Sequence, residues 1–247
     1  MPPDHRHLVR EDIDRVAAGD LVLAIVSLDP PEADVASLHA LLSGDERERA
    51  ARFVFERDRV RFAVARGTLR ALLGRFLDAD PRSLSFAYGP HGKPALEGVP
   101  RAFNLSHSAD LALIALAREG ELGVDVEAIR ERVNVDEVAT TFAPPETAAL
   151  LAVPEEARRD AFFVAWTRKE AYIKAIGTGF SLAPHRFVVS VAPDADAALL
   201  STTHDERDCA AWSLGTLRPR PGFVASYALR RSRGGSFEVH AVDLAAG

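Results

Sequence analysis

Apolar segments of strand length come in clusters along this chain, and the clustering is the feature that most restricts the fold. "LVLAIVSLD" at 21–29 is followed by a long stretch of helical spacing at 45–77, for which Gly67 and Gly74 are predicted as joints. Four short strand patterns then follow one another within 85–129, separated by turns that contain Gly, Pro or Asn. A doubly wound sheet needs strands that alternate with helices, so the sequence predicts an α+β chain instead.

The same order of segments occurs a second time. Helical patterns run from Val135 to about Leu151 and from Glu155 to Ile176, and further strand patterns occupy 186–244. With a joint near Glu119 and Gly120, the sequence predicts two α+β halves, at 1–119 and 120–247.

Composition and charge exclude several classes of protein. A length of 247 residues with 47% hydrophobic residues is typical of a globular chain, and a net charge of −6 opposes binding of nucleic acid. There is no run of about eighteen uncharged apolar residues, and the N-terminal stretch at 1–15 is charged where a signal peptide is apolar. We therefore expect a cytoplasmic protein without membrane contact. Cys209 is the only cysteine, which excludes an internal disulfide.

The three lysines stand out because arginine carries almost all of the positive charge. Among 30 Lys and Arg residues, only Lys93, Lys169 and Lys174 are lysines. They lie in two short stretches, "YGPHGKPAL" at 88–96 and "FVAWTRKEAYIKAIGTGF" at 163–180. A compact ammonium on a flexible stem fits a tight phosphate site differently from a planar guanidinium. These positions are therefore predicted to require lysine.

Two acids are placed side by side by the motif "GVDVE" at 123–127. In an extended strand, Val124 and Val126 point to one face and Asp125 and Glu127 to the other. Such a pair repels unless it is solvated or shares a divalent cation such as Mg²⁺. An exposed strand that carries ordinary surface acids is the alternative.

A third acid lies on the predicted helix within 163–180. Trp166, Glu170 and Lys174 are spaced four residues apart and form one stripe. The simpler interpretation is a tryptophan in the core and an ordinary Glu170–Lys174 ion pair. The flanking residues are apolar on several sides, however, so the helix should be mostly buried and its charges should have partners other than water. Glu170 placed next to Asp125 and Glu127 would complete a cation site.

Two further segments point to phosphate. Ser106, His107 and Ser108 follow a strand and offer hydroxyls, an imidazole and turn amides. A structural histidine is the alternative, and neighbours in sequence indicate no catalytic triad. The turn that contains Lys93 lacks the G-x-x-x-x-G-K-[ST] pattern, which disfavours a P-loop nucleotidase.

Taken together, these segments resemble the Sfp-type 4′-phosphopantetheinyl transferases. The matches are "GKP" at 92–94, "FNLSHS" at 103–108, "GVDVE" at 123–127 and "WTRKEAYIKAIGTG" at 166–179. The last is similar to the family signature W-x-x-K-E-[AS]-x-x-K-x-x-G-x-G. The four occur in the family's order and spacing, and the resemblance extends from about residue 46 to residue 229.

The resemblance implies both a fold and a reaction. The fold would be two similar α+β halves related by a pseudo-two-fold axis, with the active site in the cleft between them. The reaction would be the Mg²⁺-dependent transfer of the 4′-phosphopantetheine arm from coenzyme A to a serine of an apo acyl or peptidyl carrier protein, with release of 3′,5′-ADP. Such enzymes, expected here as a monomer, activate carriers of fatty acid, polyketide or nonribosomal peptide synthesis.

The resemblance also implies roles for individual side chains near the metal and the pyrophosphate. The magnesium ligands would be Asp125, Glu127 and Glu170. Lys174 would neutralise the α- or β-phosphate, and Ser106 and His107 would contact the pyrophosphate. The residues with a direct part in catalysis would be Glu170, Lys174, Asp125 and His107.

The nucleotide and its 3′-phosphate would be held by basic residues of the first half. Arg49, Arg61 and Lys93 fall at positions that the family uses for this purpose. Glu46 or Arg47 stands where some members carry another lysine, so the grip on the 3′-phosphate differs from theirs. By the same resemblance, Glu146 matches an acid close to the metal.

Two other functions remain open at this point. Three acids and a lysine would also suit a different Mg²⁺ phosphotransferase or phosphodiesterase, or the chain could be a carrier-binding module without catalysis. For docking of a carrier we predict the surface formed by Arg130, Arg132 and the helix that begins at Val135. The sequence leaves open which carrier is served and whether Glu170 is the base, a metal ligand or both.

Overall fold

The structure is a computed structural model that describes residues 21–99, 101–203, 209–231 and 237–244. The charged N-terminal stretch at 1–15, on which the expectation of no signal peptide depends, lies outside the described residues. Within the described ranges, no helix has both the length and the apolar character that a membrane span requires.

Helices and strands follow each other in two similar groups. The helices are α1 Glu32–His39, α2 Gly44–Ala51, α3 Glu56–Leu77, α4 Val135–Val138, α5 Pro144–Ala152 and α6 Glu155–Ile176. The strands are β1 Leu21–Ser27, β2 Phe86–Tyr88, β3 Pro94–Leu96, β4 Ala102–Ser108, β5 Leu111–Ala117, β6 Glu121–Ala128, β7 Phe187–Val189, β8 Leu199–Thr202, β9 Trp212–Leu217, β10 Phe223–Arg230 and β11 Val239–Asp243.

Two sheets stack between two long helices. The first sheet has the strand order β11-β1-β5-β4, and the second has the order β9-β10-β6. Apolar side chains of α3 pack on one face of the first sheet, and those of α6 pack on one face of the second. The remaining faces of the two sheets pack against each other. This arrangement confirms the prediction of two similar α+β halves.

The predicted joints in the first helical region are wrong. The region divides at residues 52–55, between α2 and α3, whereas Gly67 and Gly74 lie inside the continuous helix α3. A Cβ atom at Gly67 would lie 2.5 Å from the carbonyl oxygen of Leu38, so the missing side chain lets α1 approach α3 closely. Gly67 therefore serves helix packing and does not bend the helix.

The helix predicted from Val135 to about Leu151 is also divided. Only the short α4 forms first, and α5 begins at Pro144 with Pro145 in its first turn. Proline has no N–H to donate and is therefore favoured where a helix starts, not in its interior. The helix predicted for 155–176 is confirmed as α6.

One strand crosses the predicted boundary between the halves. β11 pairs in parallel with β1, with Leu21 opposite Val239 and Ile25 opposite Asp243. Residues 239–243 therefore belong to the first sheet, although the predicted second half runs over 120–247. The pairing covers the edge of β1, which would otherwise present unpaired backbone groups. Below, the first half means the first sheet with α1 to α3, β2 and β3, and the second half means the rest.

The two halves meet along a seam between β4 and β6. These strands belong to different sheets, and side chains of β4 provide hydrogen bonds between them. Asn104 is buried, and its side-chain oxygen accepts the backbone N–H of Val124 at 2.9 Å. Ser106 and Ser108, the next side chains on the same face of β4, continue the seam toward the acids of β6.

Replacing Asn104 by alanine is expected to destabilise the protein by about 1–3 kcal/mol, because the buried N–H of Val124 loses its acceptor. Urea unfolding measures this free energy. Ser37→Ala is the control, since the exposed Ser37 hydroxyl only donates to a carbonyl within its own helix, and a change within about 0.5 kcal/mol is expected there. Equal stabilities of the two variants would contradict the role of the seam.

Candidate active site

Asp125 is the most buried of the three predicted metal ligands, with 4% of its surface exposed. Its Oδ1 accepts hydrogen bonds from Lys174 Nζ at 2.6 Å and from Ser106 Oγ at 2.8 Å. Its Oδ2 is buried and has no hydrogen-bond partner among the described residues. Val124 and Val126 point into the core between the sheets, as predicted. The alternative of solvated surface acids is therefore wrong for Asp125.

Glu127 and Glu170 complete a cluster of negative charge around Asp125. Partial burial raises the pKa of Glu127, and the charge of Asp125 raises it further, against a hydrogen bond from Ser108. Partial burial also raises the pKa of Glu170, followed by the charge of Asp125, while Lys174 opposes the rise and Glu127 adds to it. Three acids thus share one nearby lysine. The structure brings the predicted acids together.

Gly123 determines how closely α6 lies on β6. A Cβ atom at this position would fall 2.1 Å from the carbonyl oxygen of Ala171 and 2.3 Å from the nitrogen of Ala175. No other residue type fits without moving the helix. Because Glu170 and Lys174 are carried by this part of α6, the contact at Gly123 also fixes their distance from the acids of β6.

The stripe on α6 works differently from an ordinary helix ion pair. The amine of Lys174, on α6, donates to Asp125 on β6 and, at 2.8 Å, to the Ser106 hydroxyl on β4. Trp166 stacks at the edge of the core, with its ring centroid 6.3 Å from Phe142 and 6.1 Å from Phe162. Trp166 is thus a packing residue, and Lys174 links the two halves.

A continuous cleft opens from this cluster toward the first half. A cavity of about 240 Å³ is lined by Glu170 and Lys174, and a cavity of about 570 Å³ adjoins it. Gly92, Asn104 and Leu105 line both. The larger volume lies within the range of cofactor and small-molecule sites.

Two of the three basic residues predicted to hold the nucleotide, Arg49 and Arg61, line the larger cavity. Arg61 is anchored there, because its guanidinium makes two bonds to Asp29 at 2.8 and 2.6 Å and a third to the carbonyl of Ala109 at 2.8 Å. Arg49 lies over the ring of Phe62, 5.3 Å from its centroid, and has no carboxylate partner within the described part of the chain. Arg49 is therefore the more available of the two charges for an anionic ligand.

His107 projects from β4 into the same cavity. Loss of hydration within the cleft lowers its pKa, and the charges of Lys174 and Arg61 lower it further, while Asp125 opposes them. The imidazole is thus held neutral near physiological pH, when it can both donate and accept a hydrogen bond.

Two predicted residues have other partners. The amine of Lys93 donates to the carbonyl oxygens of Leu122 at 3.0 Å and Ala175 at 2.6 Å. Glu146 is 1% exposed, and its carboxylate pairs with the amine of Lys169 at 2.7 Å inside the core of the second half. The prediction that Glu146 lies close to the metal is wrong, because this carboxylate ties α5 to α6 in that core.

Sequence reasoning missed several residues of the larger cavity. Phe62 and Arg66 lie one turn apart on α3 and both line it, and Tyr88 accepts a hydrogen bond from Arg66 at 3.0 Å. The four-residue spacing of Arg61 and Phe62 with Ala65 and Arg66 was a usable signal for one face of the helix. Tyr88, on the short strand β2, had no comparable signal.

The donor set fits a hard divalent cation. In the described residues no three Asp, Glu, His or Cys side chains are arranged to hold a metal ion by themselves. Mg²⁺, however, is usually bound by one or two carboxylates together with substrate phosphates and water. The unpartnered buried oxygen of Asp125 and the mutual repulsion of the three acids suit a cation that arrives with a phosphate. The metal ligands Asp125, Glu127 and Glu170 remain a prediction.

Comparison with known proteins gives consistent matches over most of the chain. The family profile described as 4′-phosphopantetheinyl transferase superfamily matches residues 121–229, and the profile described as 4′-phosphopantetheinyl transferase, N-terminal, matches residues 27–119. The chain is 37% identical to the 4′-phosphopantetheinyl transferase HetI of Nostoc over 83% of its own length and 85% of HetI.

Two further relatives match over shorter lengths. The 4′-phosphopantetheinyl transferase AcpT of Salmonella typhi is 44% identical over 44% of this chain and 56% of AcpT. The 4′-phosphopantetheinyl transferase Sfp of Bacillus subtilis is 27% identical over 65% of this chain and 71% of Sfp.

Glu170→Gln is expected to stabilise the protein near neutral pH. The folded-state pKa of Glu170 is raised, so its contribution to stability is greatest below the unfolded pKa and is lost as the pH rises through the folded pKa. Above the folded pKa the charged side chain is a constant penalty, which the amide removes. We expect Tm to rise by roughly 2–4 °C near neutral pH and the gain to vanish below about pH 4.

Thermal unfolding at both pH values measures this effect, and Glu97→Gln is the matched control. Glu97 is exposed, so its Tm should stay at the wild-type value at both pH values. A lower Tm for Glu170→Gln near neutral pH would mean that the charged carboxylate is stabilised by its surroundings, contrary to the cluster described above.

Proposed function

The chain belongs to the 4′-phosphopantetheinyl transferase superfamily, and we propose that it uses coenzyme A and Mg²⁺ to modify a serine of an apo acyl or peptidyl carrier protein. It is an enzyme of the phosphopantetheinyl transferase class. The observation that carries the proposal is the cluster of Asp125, Glu127 and Glu170 around Lys174, at the end of a cavity lined by arginines. Three acids with one lysine would repel a diphosphate unless a cation accompanies it.

The proposed reaction transfers one phosphoryl group. The carrier serine Oγ bonds to the phosphorus that bears the pantetheine arm, and the bond from this phosphorus to the bridging oxygen breaks. 3′,5′-ADP leaves with the bridging oxygen, and the serine proton goes to a base. Catalysis of such a transfer depends mainly on positioning and on neutralising charge.

Lys174 is suited to stabilise the diphosphate in this reaction. Its amine already lies between Asp125 and Ser106 and lines the smaller cavity. Two charge-assisted contacts hold it in place, so little reorganisation is needed when negative charge develops nearby. When bound, Mg²⁺ would be held by Asp125, Glu127 and Glu170 together with the diphosphate and would withdraw charge from its oxygens.

Glu170 is the base that we favour for the serine proton. It lines the smaller cavity, and no residue in the described part of the chain donates a hydrogen bond to its carboxylate. Burial and the charge of Asp125 raise its pKa, which makes it a stronger base than an ordinary glutamate. His107 is suited to contact the pyrophosphate, and Arg49 and Arg61 the nucleotide, because all three line the larger cavity. Ser106 is buried, and we assign it to the pyrophosphate because its hydroxyl accepts a hydrogen bond from Lys174.

We further propose that the enzyme is a cytoplasmic monomer that serves fatty acid, polyketide or nonribosomal peptide synthesis. Support comes from the single cysteine, the overall size and the two halves that form the cleft within one chain.

The proposal predicts that an apo carrier incubated with this protein, coenzyme A and Mg²⁺ gains the mass of the phosphopantetheine arm. Intact-mass spectrometry measures the gain. Chelation of the cation should abolish it, and Glu170→Ala should lower the rate by about 10²–10⁴, the usual effect of losing a general base. Glu97→Ala serves as the control. Turnover of a simple phosphodiester without any carrier would instead indicate a phosphodiesterase.

Charge reversal on the predicted docking surface should weaken carrier binding alone. Arg130 is unsuitable because it lies 3.6 Å from Glu127, but Arg132 is exposed just beyond the acid cluster. Carrier proteins of this class are commonly acidic, so Arg132→Glu is expected to raise KM for the carrier roughly 3- to 10-fold and leave KM for coenzyme A unchanged.

Arg82→Glu is the matched control for this experiment, because Arg82 is a similarly exposed arginine in the first half. If Arg132→Glu changes both KM values equally, or if Arg82→Glu has the same effect, the carrier docks elsewhere.

A further inference from the structure

The turn between β2 and β3 reaches from the first half onto the end of α6. The turn is closed where the N–H of Gly89 donates to the carbonyl of Lys93 at 3.0 Å. Its hairpin is anchored in the first half, because the ring of Phe86 lies under the guanidinium of Arg66, 4.0 Å from the ring centroid. The turn is therefore attached to the first half.

Lys93 caps the last turn of α6. The helix ends at Ile176, and its final carbonyls have no partner within the helix. The amine of Lys93 donates to one of them, the carbonyl of Ala175 at 2.6 Å, and to the carbonyl of Leu122 on β6 at 3.0 Å. A positive charge at this end of a helix is favourable because the carbonyl dipoles point toward it.

Two glycines after α6 leave room for the turn. A Cβ atom at Gly177 would lie 3.1 Å from Cδ of Lys93, and one at Gly179 would lie 3.1 Å from Cβ of His91. Both glycines have positive φ, 75° and 55°, where side chains are disfavoured. We call the contacts of His91 and Lys93 with Ala175, Gly177 and Gly179 the clasp.

The charge of Lys93 is committed to the protein. Within the described part of the chain, no carboxylate lies at ion-pair distance from it, and its two described hydrogen bonds go to main-chain carbonyls. Burial lowers its pKa to about 8, against the charge of Glu121. An amine partly removed from water in this way needs both carbonyls to offset its lost hydration.

We propose that Lys93 is a positioning residue, whose clasp on the end of α6 sets the distance between that helix and the first half. It thereby places Glu170 and Lys174 against the phosphates of a ligand whose nucleotide is held by the first half. The identity of that ligand rests on the proposed function. This role differs from the nucleotide contact that the family resemblance assigns to Lys93.

The clasp can be opened from either side, which separates positioning from ligand contact. Lys93→Met removes the charge, whereas Gly177→Ala introduces a side chain against Lys93 without removing any charge. Gly222→Ala is the matched control, because Gly222 has nearly the same φ, 78°, but nothing lies within 4 Å of an added Cβ. It reproduces the backbone strain without touching the clasp.

Both clasp variants are expected to lower kcat roughly 10- to 100-fold, since a small displacement of α6 misplaces two reacting side chains. Kd for 3′,5′-ADP should remain within about twofold of wild type, because Lys93 and Gly177 line the smaller cavity and the larger cavity proposed to hold the nucleotide is untouched. The unchanged Kd also verifies that the variants fold. The kcat of the double variant should equal that of the single variant with the lower kcat, because both changes break the same contact.

Two results would overturn the proposal. If Lys93→Met weakens 3′,5′-ADP binding by about tenfold while Gly177→Ala does not, Lys93 contacts the nucleotide directly. If Gly177→Ala has the kcat of Gly222→Ala, the clasp does not position α6.

Hydrogen exchange tests the clasp independently of the proposed function. Backbone amides at 173–177 should exchange faster in Lys93→Met and in Gly177→Ala than in wild type or Gly222→Ala, while the amides of α3 stay unchanged. A wild-type protein that fails to modify any carrier would refute the proposed function only. Unchanged exchange at 173–177 in both variants would refute the clasp only.

Discussion

The burial of Asp125 next to a single lysine is the constraint on which the site depends. A carboxylate removed from water is costly unless it is paired, and Lys174 supplies the pair from α6 while Ser106 adds a hydrogen bond from β4. Lys174 and the exposed Arg130, which lies 3.6 Å from Glu127, do not offset the cluster, because the pKa values of Glu127 and Glu170 are still raised by burial and by the charge of Asp125. The excess of negative charge is what a cation accompanying a phosphate would relieve. The same imbalance that makes the site reactive therefore costs stability when no ligand is bound.

The acid cluster is held in place at the seam between the two halves. There, side-chain hydrogen bonds join β4 to β6, which lie in different sheets. Asn104 and Ser106 on β4 bond to β6, and Gly123 lets α6 rest directly on the face of β6 that carries Asp125. Asp125 is consequently fixed from both sides, by the first half and by α6.

Local patterns were sufficient for some of these features and insufficient for others. Alternation placed Asp125 and Glu127 on one face, and four-residue spacing placed Glu170 and Lys174 on one stripe, because both depend only on neighbouring residues. The pairing of β11 with β1 and the seam through Asn104 join segments that are distant in sequence, and no periodicity reports them. Arg49 could be predicted to line the cavity only through resemblance. Glu146 was misplaced by the same resemblance, since a motif match does not reveal that the carboxylate turns inward to Lys169.

The contacts of the three lysines show why an arginine would not fit at their positions. The sequence predicted a tight phosphate site, but two of the ammonium groups bind the protein itself: Lys93 donates to two carbonyls, and Lys169 donates to the carbonyls of Pro184 and Phe187 besides pairing with Glu146. In each of these pockets the acceptors converge on a single nitrogen atom.

The adjacent Arg168 illustrates the opposite case, because its planar guanidinium donates to acceptors that are spread out: Thr216, Ser190 and the carbonyls of Ala192 and Ala195. A point charge is thus required where acceptors converge on one atom, and a fork where they are spread out. Lys174 belongs to the first kind, with Asp125 and Ser106 as acceptors, and it is the lysine of the three that both pairs with a site acid and lines the cleft.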